Sequence, residues 1–352
     1  MELEFKSDFA ETRRQWECFW SGHCQTPMIS CVIPKAGKKT VEPPVYPSGY
    51  DGNFEPVIDR LIDWADSRLF LGAAVPFYYL EFGPDHFSSF LGCNLNFNQP
   101  GTSWAEHWVR DWDDVEIRFQ RDSVWWQRTV EFIRALRRRL DGKMLIAPPT
   151  LVANLDALAA LRGVNELMLD LAESPEKIHR ALRQVDKAYA EILGELSAEL
   201  DMPRWGSINR HGLYCRGRTT IPQCDCSCMI GPEMFAEFVL PHLKQEMAQL
   251  DAVEYHLDGP GAIKHLEALC SIEKLEVVQW VPGAGNERQD WTSLFRRIDQ
   301  LGKGHLASVE NIESLRDHWT SYQSRRIYYY YSGQATEQAA KEFLTEAEKI
   351  IK

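Results

Sequence analysis

The chain has 352 residues, of which 44% are hydrophobic, so it can bury a sizeable core either as one large α/β barrel or as two domains. Its formal net charge of -12 argues against sequence-independent binding to nucleic acid or to an anionic membrane, because both depend on clustered lysine and arginine. No apolar run reaches the roughly 18 residues that a membrane helix needs.

The amino terminus has no basic start followed by an apolar core, so we predict a cytoplasmic protein. The nine cysteines fit that compartment as free thiols, because an odd number is a poor basis for a disulfide framework. The basic run RALRRRL (134–140) is predicted to be the solvated face of a helix.

Eight short apolar runs predict β-strands. In chain order they are PMISCVI (27–33), RLFLGAAV (68–75), KMLIAPPTLV (143–152), WGSINRHGLYC (205–215), AVEYHLD (252–258), LEVVQWV (275–281), GHLASV (304–309) and RRIYYYY (325–331). Stretches with apolar residues at spacings of three and four predict helices at 123–140, 154–163, 174–200, 231–250, 262–269, 292–301, 311–319 and 336–352.

Strands alternating with helices predict a single (β/α)8 TIM barrel over residues 1–352, with an amino-terminal extension. A doubly wound open sheet is the weaker alternative, because no Gly-x-Gly-x-x-Gly turn follows any strand. The segment 34–66 is rich in proline, glycine and tyrosine. We predict that it is a loop excursion covering the mouth of the barrel.

A histidine and an aspartate end the fifth predicted strand, in the stretch EYHLDGPG. On a strand, His256 and Asp258 point to the same face, at the carboxyl end where α/β barrels carry their chemistry. Together they can bind a divalent metal such as zinc, which usually has three or four protein ligands. Candidates for the third ligand are Glu310, which we select, and also Ser332, Gln334 or a thiol. Without a metal, His256 is predicted to line a cleft or to act as an acid or base.

The run QCDCSCMI (223–230) alternates cysteines with polar residues. A zinc knuckle has Cys-x-x-Cys or wider spacing, so we predict that these cysteines are small packed side chains. Asp225 is the predicted functional residue of the run, in a loop before a helix that begins near Gly231. Two arginines upstream are expected to keep its carboxyl group ionised. A purely structural role, as a cap or an ion-pair partner, is the alternative.

Several polar and aromatic residues at strand ends predict a substrate site for an anionic ligand. The fourth run supplies Asn209 and Arg210 and leads to Arg216, and arginines suit a carboxylate or a phosphate. Trp280, at the end of the sixth strand, can stack on a flat ligand, although most tryptophans serve packing. Gln334 follows the eighth strand. These groups would converge on one face of a barrel.

Glycine turns follow two neighbouring strands. Gly259 and Gly261 permit positive φ and a close approach of ligand to backbone. A helix predicted from Ala262 would then present an amino end that can hold an anion. The WVPGAG turn, which contains Gly283, repeats this arrangement after the next strand. All three glycines are therefore predicted to bind substrate.

Three of these motifs, QCDCSCMIGPEMFAEFVLPHL, YHLDGPGAIKHLEAL and VVQWVPGAG, resemble the uroporphyrinogen decarboxylase superfamily. The resemblance extends to FGPDHFSSFLGCNLNF, SWAEHWVRDWDD, LDALAALRGVNELMLDLAESPEKI and RRQWECFWSGHCQTP, and so to nearly the whole chain. It implies a (β/α)8 barrel and one of two activities, which are tetrapyrrole decarboxylation and corrinoid-linked methyl transfer.

The chain departs from both branches. The decarboxylase branch grips substrate carboxylates with a segment of the form Arg-Gln-Ala-Gly-Arg, whereas VIPKAGKKT here lacks those arginines. The zinc methyltransferase branch uses His-x-Cys and a late cysteine. Here His256 is followed by Asp258, and Ser332 stands where the late thiol is expected. The resemblance therefore points to a third branch, which includes methyltransferases of demethylation systems.

The function implied is transfer of a methyl group between a small substrate or folate-type carrier and a separate corrinoid protein. In that hypothesis His256 and Asp258 bind a metal or polarise the substrate, and Asp225 protonates or positions it. No Asp-x-His-x-x-Gly corrinoid segment is present, so the corrinoid would be bound to a partner protein. The alternatives are a carboxy-lyase that holds carboxylates with Arg210 and Arg216, or a ligand-binding scaffold protein without catalysis. The sequence leaves open whether the chain forms a homodimer.

Overall fold

The computed structural model describes residues 2–98 and 101–351 and shows a mixed α/β architecture. The helices in these residues are α1 (Phe9–Ser21), α2 (Glu55–Asp66), α3 (His86–Ser89), α4 (Val124–Leu140), α5 (Asn154–Arg162), α6 (Val164–Glu173), α7 (Pro175–Glu199), α8 (Met202–Trp205), α9 (Pro232–Phe238), α10 (Leu240–Ala248), α11 (Leu266–Cys270), α12 (Thr292–Gln300), α13 (Ile312–Ser321) and α14 (Glu337–Ala347). The strands are β1 (Met28–Pro34), β2 (Arg68–Gly72), β3 (Phe77–Tyr79), β4 (Leu95–Asn96), β5 (Trp104–Ala105), β6 (Leu145–Ala147), β7 (Ser207–Ile208), β8 (Tyr214–Cys215), β9 (Glu254–Asp258), β10 (Val277–Val281), β11 (Gly304–Val309) and β12 (Ile327–Tyr331). The predicted α/β class is confirmed.

The principal sheet has six strands in the order β2-β1-β12-β11-β10-β9. All neighbours are parallel except β1 and β2, and the pairing of β1 with β12 joins the first and last strands of the chain. The described residues also form three two-stranded pairs, which are parallel β3 with β6, antiparallel β4 with β5 and antiparallel β7 with β8. The carboxyl ends of β9, β10, β11 and β12 consequently lie along one edge, since parallel strands run in the same direction.

Two of the predicted strands differ from the structure. The run 68–75 was expected to be a parallel barrel strand, but β2 pairs antiparallel with β1 and forms the edge of the sheet. The run 205–215 was expected to be one strand, but it folds back on itself as β7 and β8. Gly212 adopts a φ of 80° in the connecting turn, which only glycine reaches without strain. Arg210 therefore lies in a turn and not on a strand.

Most predicted helices are present, and the Ser123 hydroxyl caps α4 by accepting a hydrogen bond from the Trp126 N–H at 3.1 Å. The predicted helix 231–250 is instead two helices, α9 and α10, separated at Val239. Pro241 lies in the first turn of α10, and a proline cannot continue a helix because it lacks an N–H and its ring clashes with the preceding turn. The final residue of the predicted helix 336–352 lies outside the described residues.

The excursion 34–66 is not wholly a loop, because its last 12 residues form α2. Ile58, Leu61 and Ala65 give that helix an apolar face that is fully buried against the core. Such a stripe at spacings of three and four is the usual reason for a helix to dock on a domain. The rest of the segment lies beside a cavity that is described below.

The cysteines differ in part from the prediction of nine free thiols. Cys18 and Cys24 form a disulfide at the end of α1, whereas the remaining seven are free. Cys224 and Cys226 are buried in the core, as the packing interpretation of that run predicted, and Cys228 is exposed. Within residues 2–98 and 101–351 there is no helix with the length and apolar character that a membrane crossing requires.

Candidate active site

Strand β9 arranges three polar side chains on one face. Glu254, His256 and Asp258 are two residues apart, while the alternate residues Tyr255 and Leu257 face the helices and are buried in the core. Exposure increases along the strand, since Glu254 is fully buried and both His256 and Asp258 are partly open. The strand therefore delivers a histidine and a carboxylate to the carboxyl edge of the sheet, as the sequence predicts.

Asp225 reaches the same place from a short 3-10 helix, Asp225–Met229. The carboxylate of Asp156, in the first turn of α5, accepts hydrogen bonds from the backbone N–H groups of Asp225 at 2.7 Å and Cys226 at 2.9 Å. Gln223 forms a parallel bridge with His256, so the segment lies directly beside β9. These contacts fix the backbone before Asp225, at Gln223, and after it, at Cys226.

The structure brings Asp225, His256 and Asp258 together. One ligand atom from each, two carboxylate oxygens and a ring nitrogen, all lie within 4.8 Å of one another. The donor types suit a divalent cation, because zinc takes imidazole nitrogens and carboxylate oxygens at about 2.0–2.2 Å, which places tetrahedral ligand atoms roughly 3.3–3.6 Å apart. Glu310, which we selected as third ligand, is not part of this cluster, and Asp225 takes that place.

Gln279 on β10 orients the imidazole ring. The register pairs Gln279 with His256, and the Gln279 Oε1 is hydrogen-bonded to His256 Nδ1. An amide oxygen only accepts, so Nδ1 carries the proton and Nε2 keeps its lone pair. Loss of hydration, with the positive charge of Arg210 second, lowers the pKa of His256 to about 4. The ring is therefore neutral near pH 7, which is the state that binds a metal.

The two carboxyl groups have raised pKa values. Loss of hydration is the largest cause that raises the pKa of Asp225 to about 7, followed by the negative charges of Asp156 and Asp258, and Arg210 opposes the change. Loss of hydration also raises the pKa of Asp258, again against Arg210. Asp225 as a whole is exposed to solvent. Arg210 lowers the pKa of Asp225, but loss of hydration and the negative charges of Asp156 and Asp258 outweigh it, so the expectation that upstream arginines keep this carboxyl group ionised is not met.

Arg210 lies at the centre of the polar network. Its guanidinium donates to Thr150 Oγ1 at 3.2 Å, to Gln223 Oε1 at 3.2 Å and to His211 Nε2 at 3.3 Å. The carboxylate of fully buried Glu254 accepts a hydrogen bond from Asn209 Nδ2 at 2.6 Å and is hydrogen-bonded to His211 Nδ1 at 2.7 Å. Asn209 is itself buried and holds the carboxylate of Glu254 in place.

A second buried carboxyl group, that of Glu81 after β3, lies on the other side of Arg210. Glu81 accepts from the Tyr46 hydroxyl at 2.7 Å and from the Thr150 N–H at 3.0 Å. Loss of hydration raises its pKa, although Tyr79, Tyr46 and Arg210 oppose this. Tyr46 belongs to the excursion 34–66, so this hydrogen bond fastens that segment over the site.

The glycine turns take the predicted backbone conformation at two positions. Gly259 and Gly283 have φ values of 74° and 72°, and the Gly259 N–H donates to Val281 O at 2.9 Å. A Cβ on Gly283 would lie 3.8 Å from the Cα of Gly259, so the turns adjoin each other beside the cluster. The helix expected from Ala262 is instead a six-residue 3-10 helix, Pro260–His265, followed by α11. Gly261 packs against Cys228.

Three other predicted substrate residues lie elsewhere. Trp280 is paired with Leu257, so its side chain is on the face of the sheet opposite to His256, and its ring packs against Trp291 at 4.9 Å between centroids. Arg216 is mostly exposed and forms an ion pair with Glu17 at 2.7 Å. Gln334 is exposed beyond the end of β12. None of the three contributes to the cluster of Asp225, His256 and Asp258.

Sequence reasoning missed three residues that shape the site. Gln279 pairs with His256 and so lies on the same face of the sheet. Aligning the two strands would have found it, but the sequence interpretation singled out Trp280 instead. Glu81 is a lone charge in the aromatic run PFYYLEFG, a pattern that signals a buried functional group. Asp156 gives no local signal, because an acidic residue in the first turn of a helix is common.

Comparison with known proteins provides a structural match alone. No protein-family model matches the chain, and no curated protein matches its sequence. Among solved structures, the chain is similar to a methyltransferase from Methanosarcina mazei, with a TM-score of 0.58 and 10% identity over 96% of this chain and 98% of that one. A likeness at this identity shows a shared fold.

Proposed function

We propose that this chain is an enzyme that transfers a methyl group between a small substrate or folate-type carrier and a corrinoid held by a separate protein. The observation that carries the proposal is the cluster of Asp225, His256 and Asp258 beside Arg210 and a cavity. The similarity in fold to a methyltransferase supports it. We also propose that the strands complete a single (β/α)8 barrel of the uroporphyrinogen decarboxylase type, which the pairing of β1 with β12 supports.

In this proposal Asp225, His256 and Asp258 hold a divalent metal such as zinc. A metal of this kind acts as a Lewis acid and polarises the heteroatom that carries the methyl group. Gln279 keeps His256 in the tautomer that presents Nε2, and Asp156 keeps Asp225 in place. The arrangement is built before substrate arrives, which is the usual source of electrostatic catalysis.

Without a metal, Asp225 is the proton donor of the proposal, because a carboxyl group with a pKa near 7 can give up or accept a proton at neutral pH. With a metal bound, Asp225 is a ligand and does not carry that proton. When the bond between the methyl carbon and the substrate heteroatom breaks, the electron pair stays on the heteroatom. The methyl group would pass to cobalt(I) of the partner's corrinoid, which becomes cobalt(III) as the new carbon–cobalt bond forms. The heteroatom would then take up a proton from water, because Asp225 is deprotonated while it holds the metal. Arg210 holds the substrate in line with this step.

The test is a methyl-transfer assay with free cob(I)alamin as acceptor and a panel of O-methyl, S-methyl and N-methyl donors. We expect loss of cob(I)alamin absorbance with at least one donor, and a rate at least about 10-fold lower for His256→Ala, since a ligand to the metal is removed. His179→Ala is the matched control, because His179 pairs with Glu237 on the surface. A chain that methylates cob(I)alamin with none of the donors contradicts the proposal.

Decarboxylation is the second candidate, because Arg210 has no carboxylate partner in the described residues and a proton donor, Asp225, lies close by. That reaction would not require a metal at Asp225, His256 and Asp258. Release of carbon dioxide from a carboxylated substrate by the metal-free protein would favour it over methyl transfer.

A further inference from the structure

A cavity of about 310 Å³ opens beside Arg210, between the excursion 34–66 and the strands β1, β2 and β3. Its walls are almost entirely apolar or aromatic, and they include Trp64, Phe70, Phe77 and Tyr79. Arg210 is the single charged side chain that lines it. The volume lies near the lower end of the range of about 300–1,000 Å³ for small-molecule sites. The cavity therefore suits a compact molecule and is too small for a tetrapyrrole.

Arg210 forms no direct ion pair in the described residues, although its charge lowers the pKa values of the nearby carboxyl groups of Glu81, Asp225 and Asp258. Its three hydrogen bonds go to a threonine hydroxyl, a glutamine oxygen and a histidine nitrogen, all neutral groups. A guanidinium has five N–H groups, so two remain available to a ligand. A partly buried cation next to apolar walls favours an anionic partner that can accept both.

The walls restrict the body of the ligand. The rings of Tyr46 and Tyr79 are parallel within 1° and their centroids are 6.3 Å apart, and both line the cavity. Aromatic side chains contribute a large apolar area and favour stacked or edge contacts with another ring. The hydrogen bond from Tyr46 to Glu81 holds the excursion over this wall. A flat ring with one anionic group thus matches both the apolar lining and Arg210.

We propose that the cavity binds a small aromatic carboxylate, with the carboxylate on Arg210 and the ring among the aromatic side chains. This deepens the proposed function and rests on it for the identity of the reacting group. Arg210 belongs to both the cavity and the polar network around Asp225 and His256. A methyl-bearing heteroatom next to the carboxylate, as in 2-methoxybenzoate, therefore lies nearer the cluster than one on the far side of the ring, as in 4-methoxybenzoate.

The experiment is isothermal titration calorimetry of the full chain with benzoate, benzyl alcohol and acetate. A charge-assisted hydrogen bond contributes about 1.5–3 kcal/mol, so benzoate should bind at least about 10-fold more tightly than benzyl alcohol. Acetate lacks the ring and should bind more weakly than benzoate. In Arg210→Gln the preference for benzoate over benzyl alcohol should disappear, while Arg210→Lys should retain part of it. Arg204→Gln, which alters an arginine paired with Asp141, should bind as the wild type does.

Equal affinity of the wild type for benzoate and benzyl alcohol, or no binding of either, overturns the proposal without any variant. An Arg210→Gln protein that melts like the wild type and keeps the preference also overturns it. Binding is measured without methyl transfer, so the two proposals fail separately. Tight benzoate binding with no methylation of cob(I)alamin by any donor leaves the cavity assignment standing and contradicts the function. Methyl transfer from an aliphatic donor without benzoate binding supports the proposed function and contradicts the assignment of the cavity to an aromatic carboxylate.

Discussion

Binding of a divalent cation by this protein should weaken steeply as the pH falls below 7. The three groups of the cluster must be free of competing protons to bind a metal. His256 meets that condition at all pH values above about 4, its pKa in the folded chain. Asp225 does not, because its pKa is raised to about 7. A proton on Asp225 therefore competes with the metal in the neutral and mildly acidic range.

The size of the effect follows from the pKa of Asp225. Competition by one proton multiplies the apparent dissociation constant of the metal by 1 + 10^(pKa − pH). With a pKa of about 7, metal binding is therefore about 100-fold weaker at pH 5. At pH 8 the same factor is close to one. The pKa of Asp258 is raised as well, which can only steepen the dependence.

Calorimetric titration with Co²⁺ at pH 5, 6, 7 and 8 measures this directly, and buffers with different ionisation enthalpies count the protons released. We expect about one proton released per metal near pH 6. Asp225→Asn should bind more weakly at pH 8 and show a shallower pH dependence, whereas Asp113→Asn, at an exposed ion pair with Arg180, should follow the wild type. Wild-type affinity that is the same at pH 5 and pH 7 would refute the reasoning.

Three further results are expected. Gln279→Leu should weaken metal binding by about 10–100-fold, because His256 loses the acceptor that fixes its tautomer, and a calorimetric affinity equal to that of the wild type would contradict this. Glu254→Ala should lower the free energy of unfolding in urea by about 1–3 kcal/mol for each donor that it leaves unpaired, Asn209 and His211. A total loss below about 1 kcal/mol would show that both donors find other acceptors. The free energy of unfolding should also fall as the pH drops from 6.5 towards 4, because His256 is protonated in the unfolded chain but not in the folded chain. In urea unfolding measured across this pH range, His256→Gln should remove up to about 3 kcal/mol of that pH dependence.

Short-range patterns determined much of this protein. The alternation along 254–258 was enough to predict that His256 and Asp258 share a face, because side chains on a strand repeat every two residues. Apolar spacing predicted most helices, and the α/β class followed from the alternation of strands and helices. Asp225 was selected from the sequence, and the structure brings it to the same cluster.

The tertiary structure decided which groups surround these residues. Asp156 raises the pKa of Asp225 from 69 positions away along the chain, and no local pattern reports such a neighbour. The same holds for the pairing of Gln279 with His256, which depends on the register of two strands. Trp280 was wrongly placed, because motif position does not tell which face a residue occupies until the strand is paired.

The direction of a strand relative to its neighbour also could not be predicted from the sequence. The run 68–75 has the composition of a buried strand, but only its packing against β1 makes it antiparallel and moves it to the edge of the sheet. Local preferences specify whether a segment is extended or helical, since they act over a few residues. Direction, register and electrostatic surroundings come from contacts between segments far apart in sequence, and it is these contacts that turn three polar residues into a candidate site.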